Sequence, residues 1–546
     1  MGLSRRTILR SAVAGSALAV VAEATTATPA AAASPPGDVV GKISVGYQGW
    51  FACAGDGAPI NGWWHWSQNW SQPPSPTNNA IKAWPDMREY SRTYQTAYAN
   101  LNNGQPATLF SSYDQQTVDT HFRWMQQYGC DTAALQRFNP FGGEGPTRDA
   151  MAAKVRSASE AYGRKFYIMY DVTGWANMQS EIKTDWTSKM SAYTASSAYA
   201  RQNGKPVVAI WGFGFNDDNH PWSAAACLDV ANWFKNRGCY VIGGVPREWR
   251  TGTGGSRAGY LDVYHSFNMI SPWMVGAIGD EAGADWAYQN LTLPDLADCN
   301  TYGIDYQPCV LPGDVSERQR KHGDFMWRQF YNMVRAGVHG IYISMFDEYN
   351  EGNQIAKTAE HASEVPAGSG LLALDEDGTT CSSDYYLRLT GDGGRMLKGQ
   401  IALTATRPTP PIVPATRVVS LRARANSRYV CAENAGAQPL IANRTAIGTW
   451  EQFDLIDAGS GNVALRSHAN NMYVCAENAG AQALIANRTA IGLWETFQLV
   501  HNANGTVSLK ALVNHMYVCA ENAGAQPLIA NRTAIGTWEQ FDLVTG

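Results

Sequence analysis

The chain is predicted to be an α/β TIM barrel, (β/α)8, followed by an all-β β-trefoil. Three observations lead there. Short β-branched or aromatic runs alternate with helix-like stretches eight times between residues 38 and 403. The run Tyr429-Val430-Cys431-Ala432-Glu433-Asn434 returns from Tyr473 and again from Tyr517, a period of 44 residues. Thr404–Thr416, between the two regions, holds Pro408, Pro410, Pro411 and Pro414. With 546 residues the chain is too long for one ordinary core, so two or more domains are expected.

Residues 1–34 read as a twin-arginine-type signal peptide. Ser4-Arg5-Arg6-Thr7-Ile8-Leu9-Arg10 precedes a weakly apolar run, Ala12 to Ala22, and small residues follow from Ala27 to Ala33. No later stretch is long and apolar enough to span a bilayer. The mature protein is therefore expected to be secreted and free of the membrane. Charged residues make up 16% and the net charge is -5, which leaves no basic surface for nucleic acid. The 19 Trp and 25 Tyr suit sugar binding, because the apolar face of a pyranose packs on an aromatic ring.

The ten cysteines include no CxxC pair and no zinc spacing. Cys431, Cys475 and Cys519 fall at equivalent repeat positions and read as small apolar core residues. Cys299 and Cys309 are the nearest pair in sequence for a disulfide among the others.

In the region 38–403 eight strands are expected: Ile43–Trp50, Thr132–Phe138, Phe166–Val172, Val207–Phe213, Tyr240–Val245, Val263–Met269, Gln307–Leu311 and Gly340–Phe346. Val118–Tyr128, Arg148–Tyr162, Ala224–Asn236 and Arg318–Ala336 are among the helices between them. A doubly wound sheet is the alternative, but no G-x-G-x-x-G opens a helix after the first strand. The segment 404–416 is expected to be a stiff linker. In residues 417–546 each repeat has four apolar runs; in the first they are Val418–Arg422, Tyr429–Ala432, Leu440–Asn443 and Phe453–Ile456. Three copies make twelve strands about a pseudo-threefold axis, and the repeat resembles the fascin-like trefoil type. Asn443-Arg444, Asn487-Arg488 and Asn531-Arg532 recur with Glu433, Glu477 and Glu521. They serve the threefold fold first; if sugar binds, they offer up to three weak sites that gain by avidity.

Active sites of TIM barrels lie at the C-terminal strand ends. Those ends place Tyr47 and Trp50, then Asp171, Trp211, Asn216, His220, Trp249, Asn268 and Trp273 on one polar and aromatic face. Trp64, His65 and Trp66 crowd the loop after the first strand and read as a wall of that cleft or as a packed cluster. Residues 216–220 carry metal-binding residue types, but sugar hydroxyls explain them equally well, and no metal or cofactor is assigned. After the last strand Glu348 and Glu351 stand one helical turn apart, with Gly352 closing the turn. Glycoside hydrolysis needs two carboxyl groups, one protonated and one ionised, and two close carboxylates push their titrations apart.

The segment Phe346-Asp347-Glu348-Tyr349-Asn350-Glu351-Gly352-Asn353-Gln354-Ile355 resembles the F-N-E-W-x-E-G-T-x-I block of glycoside hydrolase families 71 and 99. Val45-Gly46-Tyr47-Gln48-Gly49-Trp50-Phe51, Ser271-Pro272-Trp273-Met274 and Val310-Leu311-Pro312-Gly313 fit the same group, over about residues 40–400. The family-99 resemblance implies an endo-α-mannosidase-like reaction, in which Glu348 is a general base on the sugar 2-hydroxyl and Glu351 the general acid. Tyr47 would then stabilise charge near the anomeric carbon, and Tyr349 would form a substrate wall. The family-71 resemblance implies an inverting α-1,3-glucanase instead. Asp347, Tyr349 and Asn353 depart from the usual Asn, Trp and Thr, and Asp347 adds a third carboxyl beside the pair. The expected partner is a polysaccharide or oligosaccharide. A non-catalytic carbohydrate-binding protein and a polysaccharide lyase are the alternatives. The lyase lacks a visible Arg, Lys and His cluster for a uronate.

Overall fold

The computed structural model describes residues 33–412, 416–459, 462–489, 491–502 and 504–545. Most of the signal-peptide segment thus lies outside the described residues. The chain divides into two compact units, residues 1–412 and 413–546.

The first unit is a closed parallel barrel. Its strands are β1 (Ile43–Tyr47), β2 (Thr132–Arg137), β3 (Lys165–Asp171), β4 (Lys205–Trp211), β5 (Tyr240–Val245), β6 (Met269–Pro272), β7 in two pieces (Asp305–Tyr306 and Cys309–Val310) and β8 (Ile341–Ile343). Each pairs in parallel with the next, and β8 returns to β1 through Ile43↔Ile341 and Val45↔Ile343. The seventh strand makes the closure by division of labour. Its first piece pairs with β6 and its second with β8. Pro308, which has no N–H to give, sits at the break, while its carbonyl still accepts from Tyr342 N at 3.0 Å.

Helices α1 (Gln115–Tyr128), α2 (Gly145–Tyr162), α3 (Met178–Ser188), α4 (Ala224–Asn236), α5 (Leu261–His265), α6 (Glu281–Ala287), α7 (Leu293–Tyr302), α8 (Asp324–Ala336) and α9 (Tyr385–Leu397) fill the crossovers. Helix α1 buries Val118, His121, Phe122, Trp124 and Met125, a helical stripe turned to the sheet. It stops where Gly129 turns left-handed at φ 77°, its N–H closing on Met125 O.

Barrel strands are buried on both faces, so alternation decides which side chains fill the interior. Gly46, Gln136, Met169 and Tyr342 share one inner layer. Gln136 Nε2 donates to Tyr342 Oη at 3.2 Å, and that hydroxyl lies 3.6 Å from Met169 Sδ. A Cβ on Gly46 would come within 2.2 Å of the same hydroxyl, so only glycine leaves Tyr342 its place.

Two expectations need correction, the sixth strand and the candidate disulfide. The sixth strand is Met269–Pro272, not Val263–Met269, and Leu261–His265 is a short helix. Up to residue 412 the proline-rich segment is hydrogen-bonded to the first unit. Thr404 O accepts from Trp327 Nε1 at 3.1 Å, and Arg388 donates to the carbonyls of Pro410 and Pro411 at 2.8 and 3.0 Å. All ten cysteines are free and buried, Cys299 and Cys309 included.

The second unit is a β-trefoil. Each repeat supplies four antiparallel strands; in the first they are Thr416–Ala423, Tyr429–Ala432, Leu440–Arg444 and Phe453–Gly459. The outer strands of the three repeats form a six-stranded ring that closes where Val419–Ala423 pair with Phe541–Thr545. The inner two strands of each repeat make a hairpin. The core repeats with the sequence: Phe453, Phe497 and Phe541 are fully buried, as are Cys431, Cys475 and Cys519.

Candidate active site

The C-terminal ends of β1 and β8 are locked together by one carboxylate. Asp347 Oδ1 accepts from Gln48 N at 2.8 Å and Oδ2 from Gly49 N at 2.9 Å. Burial pushes the Asp347 carboxyl up to about 6, against the pull of those two N–H groups. Asp347 is thus a brace between strands. Arg148 of α2 completes the grip by donating to Gln48 O at 2.9 Å. Its own cation is lowered by burial and favoured by the nearby Glu144.

The brace aims Gln48. Its amide Nε2 lies 3.2 Å from both carboxylate oxygens of Glu348. Glu348 and Glu351 are 1% and 3% exposed. They belong to one tight turn, in which Glu351 N donates to Glu348 O at 3.3 Å. Gly352 closes it at φ 67°, where a Cβ would stand 2.5 Å from Asp314 Oδ1. Arg320 holds the same turn by donating to the carbonyls of Gly352 and Gln354 at 3.0 and 2.8 Å.

Two residues beyond the inner layer, alternation turns Gln48 and Asp171 inward, and Trp211 sits in register with Asp171. Trp211 and Trp273 meet edge to face at 5.5 Å. His220 is buried, with Nδ1 at 2.8 Å from Asp217 and Nε2 at 3.1 Å from Thr173 Oγ1. Trp50 stacks on His65 at 3.7 Å and on Phe138 at 5.6 Å, while the Arg148 guanidinium lies 5.0 Å from the Trp64 ring. Burial and the Arg148 charge hold His65 well below the usual histidine range, so it is neutral at pH 7.

Other expected site residues lie elsewhere. Tyr47 faces outward from β1: its hydroxyl bonds His121 Nδ1 of α1 at 3.0 Å, so it cannot serve the anomeric centre from that position. Trp66 and Tyr349 are core residues, bonded to the carbonyls of Phe110 and Lys357 at 3.0 and 2.9 Å. Trp249 is fully buried against Tyr264 and His265. Asn268 precedes β6 at the opposite barrel end, accepting from Val241 N at 2.9 Å. Asn216 is exposed on its loop. Sequence reading missed the roles of Gln48, Arg148 and Thr173. Counting by twos from Gly46 would have found the first.

No family model and no curated protein matches the chain. Among solved structures it is similar to the GH99 endo-alpha-mannosidase from Bacteroides thetaiotaomicron, at 14% identity over 66% of this chain and 98% of that one, TM-score 0.47. The same enzyme in complex with BIS-TRIS-propane gives 14% identity over the same shares and TM-score 0.48. The designed three-fold symmetric protein ThreeFoil is 24% identical over 23% of this chain and 97% of its own, TM-score 0.22.

Proposed function

We propose that the chain is a secreted glycoside hydrolase that cleaves O-glycosidic bonds of a polysaccharide or oligosaccharide, with the trefoil binding carbohydrate. The observation that supports this best is the buried turn at the end of β8, which carries Glu348 and Glu351 with the Gln48 amide on the first of them. A barrel with a carboxyl pair at its C-terminal rim has what glycoside hydrolysis needs. Following the motif resemblance, Glu348 is the base. It takes the proton of the sugar 2-hydroxyl as that oxygen attacks the anomeric carbon, and Glu351 delivers a proton to the departing glycosidic oxygen. Water then opens the anhydro sugar, and both protons return. The Gln48 amide orients the Glu348 carboxylate by donating to it.

Incubating the protein with a polysaccharide panel, with product anomers followed by NMR, tests the reading. Glu348→Gln and Glu351→Gln should each lower turnover by about 10²–10⁴-fold while saccharide binding persists. Unchanged turnover in both variants overturns it. A product with a new ultraviolet chromophore would mark a lyase instead.

A further inference from the structure

Residues 34–40 run across the barrel end at which the strands begin, opposite the glutamate pair, and polar groups hold them there. Ser34 N donates at 2.9 Å to Oδ1 of Asp305, the first residue of β7, and Asn203 Nδ2 donates to Ser34 Oγ at 2.9 Å. Gln202 Nε2 donates to Pro35 O at 2.8 Å, while Gln202 Oε1 accepts from Val40 N at 3.1 Å. Asp38 O accepts from Thr132 Oγ1 of β2 at 2.6 Å, and Asp38 Oδ2 accepts from Arg201 N at 2.8 Å. Arg201 and Gln202 pair with the start of β4 through a two-residue turn, in which Asn203 and Gly204 are left-handed at φ 53° and 73°. A Cβ on Gly37 would stand 2.3 Å from Gln202 Oε1, so the backbone lies directly on that amide.

Asp305 is 3% exposed, and its other oxygen accepts from Tyr240 Oη. A buried carboxylate is ordinarily matched by a cation. Among the described residues the ion-pair neighbour of Asp305 is His339, with Nδ1 at 3.6 Å. That nitrogen accepts from Tyr306 N at 3.0 Å, so it carries no proton. Burial also lowers the His339 ring from the ordinary histidine range, against the pull of Asp305. The Ser34 nitrogen stands where a cation is wanted. Directly before it comes Ala31-Ala32-Ala33, the small-x-small pattern after which signal peptidases cut. Ala33 is exposed and Ser34 half-buried.

We propose that the Ala33–Ser34 bond is the processing site of the export signal, and that the freed Ser34 ammonium is received by Asp305. This rests on the reading of the chain as a secreted protein. Water is the co-reactant. Its hydroxyl adds to the Ala33 carbonyl carbon, the C–N bond breaks, and the Ser34 nitrogen takes the water proton and the one given up by the new Ala33 carboxyl. A neutral amide donor thus becomes an ammonium with three N–H groups in the same place. Hydrogen bonds between charged partners are roughly twice as strong as neutral ones. Cleavage one residue earlier, after Ala30-Ala31-Ala32, would leave the ammonium about 3.8 Å further along the chain, with an amide facing Asp305. The barrel thus separates two cleavage sites that the alanine run leaves equal.

The test has two arms. In the first, the full chain from Met1 is expressed in a bacterium with a twin-arginine exporter, and the protein recovered from the medium is weighed by mass spectrometry. It should begin at Ser34; a start at Ala33 or at any other residue overturns the proposal. In the second, the chain is released from a cleavable fusion so that it begins at Ser34 or at Ala33, each with Asp305 or with Asp305→Asn. With Asp305 in place, the Ser34 start should raise the folded-to-unfolded ratio in urea about tenfold over the Ala33 start. An amine-acylating reagent at pH 7 should also label it more slowly. In Asp305→Asn both differences should vanish. Equal stability and equal labelling of the two starts with Asp305 present overturn the pairing. The fusion arm needs no export. A full chain kept in the cell with its leader intact sinks the secretion reading and the cleavage with it, whereas the two starts decide the pairing by themselves.

Discussion

The amide of Gln48 lies 3.2 Å from each carboxylate oxygen of Glu348, and the two residues come from opposite ends of the barrel sequence. This contact orients the proposed base. Gln48→Leu removes the donor and leaves the carboxylate short of one partner. We expect kcat to fall roughly 10- to 100-fold, the equivalent of about 1.5–3 kcal/mol for a bond to a charged group. Steady-state kinetics beside circular dichroism checks this: a folded variant with unchanged kcat excludes the role.

Asp347 titrates unlike an ordinary aspartate, its carboxyl raised to about 6 by burial. The native state therefore holds this proton more tightly than the unfolded chain does. The stabilisation it gives is complete below about pH 4 and is lost as pH rises through about 6. Urea unfolding of the wild type should show this slope between those values, and Asp347→Asn should flatten it. Because Asn turns an N–H₂ toward one of two N–H donors, that variant should also lose roughly 1–3 kcal/mol at neutral pH.

Gly46 leaves room for Tyr342 inside the barrel, with Met345 Sδ at 2.4 Å from where a Cβ would stand. Gly46→Ala should destabilise the first unit by about 3 kcal/mol or more, since neither neighbour can retreat from a filled interior. Tyr342→Phe in the same chain should restore part of the loss. Differential scanning calorimetry reads both.

The core of the first unit holds an ion pair sealed from water. Arg137 of β2 reaches Asp185 of α3 at 2.5 Å with side chains 2% and 0% exposed, and Tyr170 donates to the same carboxylate at 2.8 Å. Arg137→Met strands that charge and should cost roughly 3–5 kcal/mol in chemical denaturation. The double variant Arg137→Met, Asp185→Leu should recover most of it.

In the trefoil, Trp450 and Trp538 are 38% and 37% exposed at equivalent repeat positions. If the repeats bind sugar, replacing one by alanine should weaken retention on an insoluble polysaccharide by a few-fold. Replacing Trp450, Trp494 and Trp538 together should abolish it, as avidity demands. Pull-down with the full chain measures this, and equal retention by the triple variant removes the binding role.

How much was legible in the sequence varies with the physics behind each element. The trefoil strands were readable almost to the residue because a threefold repeat states each apolar run three times. Helix α4, Ala224–Asn236, was readable because Ser223 caps it and its apolar stripe is regular. The sixth strand was not, because Val263-Tyr264-His265 is a β-prone run that forms a short helix, and the strand follows it. That slip carried Asn268 to the wrong end of the barrel. The error at Tyr47 has another cause. All five residues of β1 are buried, so hydrophobicity says nothing about which alternate set faces inward, and a shift of one residue exchanges the outward Tyr47 for the inward Gln48. The tryptophans of the first loop divided for a similar reason. Trp50 and Trp64 flank Arg148, whereas Trp66 went to the core.

The Asp347 brace joins backbone groups from 299 and 298 positions earlier in the chain. At ribosomal rates of about 5–20 residues per second, tens of seconds separate the emergence of one side from the other. Until the last stave arrives, Gln48 has nothing to point at and Glu348 does not yet exist. Any chain cut short inside the barrel thus lacks the brace, and the two strand ends meet only in a single late event.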